Sequence, residues 1–408
     1  MGGNDRVVIT GMNIISALGL NLAENWEQLA RGKSGVQRIS LFDPSDLETQ
    51  IAAQVPASFD EYAAGKIKKR QARQMTRLTR ICYVCAKEAV EQAIIDFENI
   101  DKSRVAVILG VLNAGKSSIE GTGIDRSTIL KGMSNAMPAW ISMEYGLTGP
   151  SFTVTTACSS SAYAISLGYD LIKSGKADMV IAGGADTTIN PEEIAGFNQL
   201  YALSTQNNKP EKASKPFSAD RDGFVIGEGA GIMILESETS AKRRKATIYG
   251  ELVGYGLTTE SYNIMAPKKD GEGMAETMEK ALADAGVDKS EVDYISAHGT
   301  GTTLNDLYET MAIKKVFGDR AYDIPVSSQK SMIGHTVGAA GAIEGVTTVM
   351  SMQHGFLTPT INLDKPDPDL DLDFVPNKGK QAEINVALSN SFAFGGHNAT
   401  LVFRKYKD

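Results

Sequence analysis

The sequence predicts an α/β protein built from two similar halves. Short β-branched runs alternate with longer stretches of helical period. The same series of motifs occurs twice along the chain. Reactive side chains stand where strand-like runs end, the edge at which open α/β sheets carry ligand sites.

The first strand candidate is Arg6-Val-Val-Ile-Thr, followed by a helix over about 77 to 96. Cys82 and Cys85 lie inside that helix on one face, and no second pair completes a zinc site, so both read as small core residues. The strand Arg104-Val-Ala-Val-Ile-Leu runs into Gly110-Val-Leu-Asn-Ala-Gly115-Lys116-Ser117, which matches the phosphate-loop pattern letter for letter. The Ser118-Ile-Glu-Gly-Thr-Gly-Ile that follows carries two Gly residues, each costing a helix about 1 kcal/mol. A Gly-rich turn is therefore expected there rather than a nucleotide site. Phe152-Thr-Val-Thr-Thr is a strand reaching Cys158 and a helix over about 161 to 174. Further strands are Asp178-Met-Val-Ile-Ala, Ala246-Thr-Ile-Tyr and, after a helix over about 272 to 285, Val292-Asp-Tyr-Ile-Ser. Ile324-Pro-Val-Ser-Ser then leads to His335 and a helix over about 340 to 353, with His354 at its end as a surface or cap residue.

The duplication shows in paired signatures. Asp101-Lys-Ser-Arg-Val-Ala-Val-Ile precedes one Gly-rich turn, and Asp288-Lys-Ser-Glu-Val-Asp-Tyr-Ile precedes His298-Gly-Thr-Gly-Thr. Each half then has a strand leading to a reactive residue and a small-residue helix: Cys158 in the first, His335 in the second. The expected division is 1–245 and 246–408, at the end of the charged Lys242-Arg-Arg-Lys run.

Composition limits the function. With 42% hydrophobic and 22% charged residues among 408, the chain is globular rather than disordered, collagen-like or membrane-spanning. The 41 basic and 49 acidic residues leave a net charge of -8, which disfavours a nucleic-acid partner. Three Cys residues make no disulfide framework and fit a reducing, cytoplasmic setting. The start shows no secretory signal pattern, and Arg6 stands where myristoylation wants Ser or Thr.

Cys158 follows an apolar strand and precedes Ser159-Ser-Ser-Ala-Tyr-Ala-Ile, a run with good N-cap residues. A thiol at a helix N-terminus is expected to have a lowered pKa and to offer thiolate; a buried inert Cys is the other reading, and local sequence leaves both open. Of four His residues, His298 and His335 stand at the junctions marked by the repeat. The segment Asn390-Ser-Phe-Ala-Phe-Gly-Gly-His397-Asn398 is either an oxyanion-hole donor or a tight turn.

Taken together, Val7-Val-Ile-Thr-Gly, Thr156-Ala-Cys158-Ser-Ser-Ser, Ser214-Lys-Pro-Phe, Arg221-Asp-Gly-Phe-Val-Ile-Gly-Glu-Gly, His298-Gly-Thr-Gly-Thr, Lys330-Ser-Met-Ile-Gly-His335 and Phe394-Gly-Gly resemble the β-ketoacyl-acyl-carrier-protein synthases of the thiolase superfamily. The resemblance covers nearly the whole chain and implies a thiolase-like fold of five alternating layers, αβαβα, from two pseudo-duplicated halves. It implies decarboxylative condensation of a malonyl thioester with an acyl chain on Cys158. His298 and His335 would stabilise the enolate, Lys330 would organise the His335 region, and Glu309 would support it. The backbone N–H groups of Cys158 and Phe394 would form the oxyanion hole, and Thr300 and Thr302 would bind phosphopantetheine. No cofactor or metal is implied; the substrates ride on the phosphopantetheine of acyl carrier protein.

The resemblance also places carrier-protein docking near Lys66, Lys68, Lys69, Arg70, Arg73, Arg77 and Arg80, with Lys69, Arg70 and Arg73 as the patch; a solvated helix face is the alternative. Three departures bear on subtype: Ala393 stands where the gating loop usually has Gly, and Asn263 and Met265 where fatty-acid enzymes commonly have His and Thr. Ser40-Leu-Phe-Asp-Pro-Ser, Lys215-Pro-Phe and Asp270-Gly-Glu-Gly-Met-Ala-Glu resemble type II polyketide ketosynthase subunits. The sequence therefore points to a polyketide or polyene ketosynthase paired with a chain-length-factor subunit. The alternative is a homodimeric fatty-acid-elongating 3-oxoacyl synthase II. A noncatalytic chain-length factor is disfavoured because Cys158, His298 and His335 are all present.

Overall fold

The structure, a computed structural model, describes residues 5–113 and 126–408. The phosphate-loop-like run is described from Gly110 to Asn113 only; its remainder, with Lys116 and the Ser118 to Ile124 segment, lies outside the described residues.

Five strands of the first half are β1 (Val7–Ile15), β2 (Val105–Gly110), β3 (Ser151–Val154), β4 (Met179–Thr187) and β5 (Glu228–Ser237). Five of the second half are β6 (Gly250–Thr259), β7 (Tyr294–Ser296), β8 (Val326–Ser327), β9 (Val386–Phe392) and β10 (His397–Arg404). Their spatial order is β3-β2-β4-β5-β1 in one half and β8-β7-β9-β10-β6 in the other, so corresponding strands occupy corresponding places. The pairing repeats as well. The β2 and β7 strands pair parallel with both neighbours, and the β4–β5, β5–β1, β9–β10 and β10–β6 pairs are antiparallel. A short antiparallel contact of Val7, Val8 and Ile9 with Leu252, Glu251 and Gly250 joins the two sheets edge to edge.

Helices complete the layers: α1 (Arg77–Ala93), α2 (Ser160–Lys173), α3 (Glu272–Ala285), α4 (Thr303–Phe317) and α5 (Ala340–His354). The α2 and α5 helices lie between the sheets, α1 covers the outer face of the first, and α3 with α4 covers the second. The expected five-layered, thiolase-like αβαβα arrangement from two duplicated halves is what the chain adopts. Each gap between layers holds its own apolar core. Tyr83, Ile181 and Ile234 pack under α1; Ile165, Ile343 and Phe403 fill the centre; Met278, Ile313 and Leu388 pack under α3 and α4.

The central helices explain the small-residue composition. Every residue of α5 from Ala340 to Met352 is buried, as are Ser160, Ser161, Ala162, Ala164 and Gly168 of α2. At Gly110, a Cβ would lie 2.2 Å from the Ser161 nitrogen, so β2 approaches the start of α2 as only glycine permits.

Of the boundaries that differ from the sequence reading, two are set by identifiable features. Ala246-Thr-Ile-Tyr is not a strand; β6 begins at Gly250, where edge pairing with β1 becomes available. The first long helix ends at Ala93 rather than near 96, because Ile94 caps it in the left-handed region at φ 50°. Cys82 and Cys85 are fully buried in α1, and His354 ends α5 stacked on Trp26, with ring centroids 4.7 Å apart. Among the described residues no helix is long and apolar enough to cross a membrane.

Candidate active site

Cys158 sits in the 3-10 turn Ala157–Ser159 that feeds directly into α2, with Ala157 at φ 51°. The second half repeats the device. The turn Val337–Ala339 feeds α5, with Val337 at φ 43°. Positive φ on a residue with a Cβ costs about 1 kcal/mol, and such strain concentrates where a side chain must be aimed. By this correspondence the counterpart of Cys158 is Gly338, and His335 lies just ahead of the turn rather than on it.

The chain folds these residues into one cavity of about 420 Å³, lined by Cys158, His298, Thr300, Thr302, His335 and Phe394 among others. The Cys158 sulfur and one ring nitrogen from each of His298 and His335 lie within 4.8 Å of one another, and all three residues are buried. The imidazoles stand nearly perpendicular, centroids 5.3 Å apart.

Hydrogen bonds define the tautomers. The Val337 N–H donates to His335 Nδ1 at 3.3 Å, and the Lys330 ammonium lies 3.4 Å from His298 Nδ1. With both Nδ1 atoms accepting, each Nε2 carries the hydrogen and is a donor. A soft metal would need those nitrogens unprotonated, so the donor set fits two hydrogen-bond donors beside a thiol better than a metal centre. Burial and the Lys330 charge hold both imidazoles well below 6.5, with His335 adding to the effect on His298. Both are neutral at physiological pH.

Of the two readings that the local sequence left open for the thiol, the structure shows the buried one. Burial pushes Cys158 up to about 12, even though Lys330 and the N–H groups of Phe394 and Cys158 itself favour thiolate. A sulfur removed from water meets a larger desolvation penalty than the helix N-terminus offsets, so at rest it is a neutral thiol. The N–H groups of Phe394 and Cys158 thus both bear on the sulfur.

Lys330, Glu344 and Glu309 are equally buried. Lys330 is ion-paired with Glu344 inside the protein. Glu309 accepts the His298 and Gly299 N–H groups, each at 2.8 Å, and Asn390 Nδ2 at 3.3 Å; burial raises its carboxyl to about 7. Thr300 and Thr302 face each other at 2.9 Å between hydroxyls on the cavity wall. Val225 and Gly227 bracket His335 through its N–H, at 2.7 Å, and its carbonyl, at 2.9 Å. Arg221 reaches the carbonyls of Thr302 and Thr303 at 3.3 and 3.2 Å. The loop at Phe394 is pinned by Gly395 N–H on the Ile264 carbonyl at 2.7 Å. Ala393 has φ -114°, ordinary extended backbone, while Gly395 and Gly396 carry the positive φ; the methyl group at 393 is therefore accommodated without strain in this conformation.

Lys69, Arg70 and Arg73 lie apart from the cavity lining, exposed on and after the short helix Lys69–Ala72. Lys66, Arg77 and Arg80 from the same run are engaged with Glu88, Glu228 and Asp60. Sequence reasoning did not single out Glu344 or Asp186, and it met Asn390 only as the first residue of the Gly-rich segment. A lone charged residue within the otherwise small and apolar Ala340-Gly-Ala-Ile-Glu-Gly was the available signal for Glu344.

Comparison with known proteins agrees with this geometry. The model of the β-ketoacyl synthase N-terminal domain matches residues 4–241, and that of the C-terminal domain matches residues 249–364. The chain is 41% identical to 3-oxoacyl-[acyl-carrier-protein] synthase 2 of Synechocystis, covering 98% of each. It is 39% identical to the Staphylococcus aureus protein of that name over 100% of both. Among solved structures, a type II polyketide ketosynthase in complex with its acyl-carrier protein superimposes with a TM-score of 0.90 at 32% identity, over 98% of this chain and 100% of that one. The ishigamide ketosynthase/chain length factor gives 0.90 at 32%, over 99% and 100%. The chain belongs to the β-ketoacyl synthase family, as a condensing acyltransferase of the 3-oxoacyl-acyl-carrier-protein synthase type.

Proposed function

We propose that the chain elongates acyl chains by two carbons in the manner of a fatty-acid-type 3-oxoacyl synthase, with Cys158 as nucleophile and His298 and His335 as a paired enolate-stabilising site. The observation that carries this reading is a neutral thiol facing two neutral imidazoles whose Nε2–H groups are free to donate. Cys158 attacks an acyl thioester of the carrier protein. The new sulfur–carbon bond forms as the pantetheine sulfur leaves with the proton. Oxygen charge in the tetrahedral intermediate rests on the N–H groups of Cys158 and Phe394.

A malonyl thioester then binds along Thr300 and Thr302 and loses carbon dioxide, its electron pair becoming the enolate. The enolate oxygen accepts hydrogen bonds from His298 and His335, and its carbon attacks the acyl-Cys158 carbonyl, returning the thiolate and releasing a 3-keto product. Lys330, held by Glu344, keeps the His298 tautomer in this scheme, and Glu309 fixes the backbone on which His298 stands. Acyl carrier protein docks at Lys69, Arg70 and Arg73, whose charges have no ion-pair partner among the described residues. The halves 1–245 and 246–408 serve as acyl-bearing and decarboxylating units, the second bringing both imidazoles to the thiol of the first.

The sequence leaned toward a polyketide ketosynthase. Full-length identities of 39 to 41% to synthase 2 proteins, against 32% to the polyketide structures, favour the fatty-acid reading. The second reading keeps one specific support in Met265, which lines the cavity where fatty-acid enzymes commonly have Thr. Incubating the purified chain alone with acyl and malonyl carrier proteins separates them. The fatty-acid reading expects 3-keto product from the chain alone, whereas product only with a second subunit would establish the polyketide heterodimer.

A further inference from the structure

A buried carboxylate outside the reacting groups ties the two halves together beside the thiol. Asp186, near the end of β4, is 1% exposed. Its Oδ2 accepts the Leu112 N–H and the Gly338 N–H, both at 3.0 Å, and its Oδ1 accepts the Thr187 N–H at 3.0 Å. Leu112 follows β2 and lines the cavity; Gly338 belongs to the turn that opens α5. A Cβ on Gly338 would lie 2.6 Å from Asp186 Oδ2 and 2.6 Å from the Leu112 nitrogen. One peptide before Gly338 is Val337, strained at φ 43°, whose N–H fixes the His335 tautomer.

We infer that Asp186 is a positioning residue for condensation: it anchors the turn at Val337 and Gly338 that orients His335, and its charge opposes ionisation of the Cys158 thiol. The inference rests on the roles proposed above for Cys158 and His335. Among the described residues, the charges acting on Cys158 are Lys330, which favours thiolate, and Asp186, which opposes it. Glu193 is, among the described residues, the charged group that acts on Asp186. Burial holds the Asp186 carboxyl up at about 7, so it is ionised throughout the alkaline range in which Cys158 titrates. Asp186 thus exerts two separable effects, one on each half-reaction.

The experiment reads both effects in the full chain. Alkylation of Cys158 by iodoacetamide is followed against pH, and carbon dioxide release from malonyl carrier protein is followed in a Cys158→Ala background. Asp186→Asn is expected to lower carbon dioxide release at least tenfold. It should also speed alkylation at a fixed alkaline pH about threefold, the equivalent of half a pH unit. Gly338→Ala, which disturbs the same contact without changing charge, should lower carbon dioxide release and leave the alkylation profile in place. If Asp186→Asn does not fold, Asp186→Ser reads the same two quantities. Equal loss of both in Asp186→Asn, or no change in either, overturns the inference. His335→Ala is the control: undiminished carbon dioxide release there would defeat the enolate reading itself, independently of Asp186.

Discussion

Two buried donors and a buried thiol do different work because burial acts on them in opposite senses. Removal from water disfavours charge, so the His298 and His335 imidazoles stay neutral to well below pH 6.5 and Cys158 stays protonated to about 12. The first consequence is testable in Cys158→Ala, which should lose acylation entirely yet still release carbon dioxide from malonyl carrier protein. That rate should be level above about pH 8, fall as pH drops through 7 and the Asp186 and Glu309 carboxylates gain protons, and fall further at lower pH as the imidazoles gain protons that the folded site resists; a rise toward acid would assign imidazolium as the active form. A second prediction concerns Lys330→Met. Removing one partner of a buried ion pair strands Glu344 and frees the His298 tautomer, so stability should drop by about 3 kcal/mol in denaturant unfolding. Carbon dioxide release should fall by about tenfold or more in stopped assays. Cys158, His298, His335 and Lys330 stand in legible motifs, whereas Glu309 followed from the family resemblance alone. The direction of the Cys158 shift was not legible, because local sequence shows the helix that follows it and not the layers that cover it. Asp186 escaped notice for a related reason: its partners Leu112 and Gly338 are 74 and 152 residues away.

At the level of elements, reactive groups are presented by a turn used twice, Ala157–Ser159 before α2 and Val337–Ala339 before α5. Both helices can start inside the molecule because glycines let strand backbone approach them. Gly110→Ala places a methyl carbon 2.2 Å from the Ser161 nitrogen, against the backbone of Ser160 and Ser161 with no flexible side chain to yield. It should cost about 3 kcal/mol or more, seen as a lowered denaturation midpoint together with slower alkylation of Cys158; a midpoint like that of the parent would show that β2 and α2 are not coupled as described. Helix positions were legible from periodicity, with α3 and α5 found to within a residue or so. The miss at Ala246-Thr-Ile-Tyr has a tertiary origin. Those residues have strand composition, but the pairing edge of β1 is met only from Gly250 onward.

Across the whole molecule, duplication is what brings the chemistry together. Equivalent strand orders set the carboxyl ends of both sheets toward one cavity, so one half supplies Cys158 and the other His298 and His335. That organisation was visible in the repeated Asp-Lys-Ser signatures, whereas the choice between fatty-acid and polyketide pathways was not, since few positions separate the two. The chain's net charge of -8 makes attraction of an acidic carrier depend on local charge. Reversing Lys69, Arg70 and Arg73 to Glu should raise KM for carrier-bound substrates about tenfold at low salt, with kcat little changed and the difference shrinking as salt increases; an unchanged KM would leave that patch as a solvated face. The most direct test of the site as a whole is intact-protein mass spectrometry of the chain and of Cys158→Ala after incubation with acyl carrier protein, before and after adding malonyl carrier protein. The geometry predicts one acyl group on Cys158, absent from the variant, that disappears on malonyl addition as a 3-keto product two carbons longer forms. An acyl group retained in Cys158→Ala, or no acyl-enzyme under conditions that yield product, would contradict it.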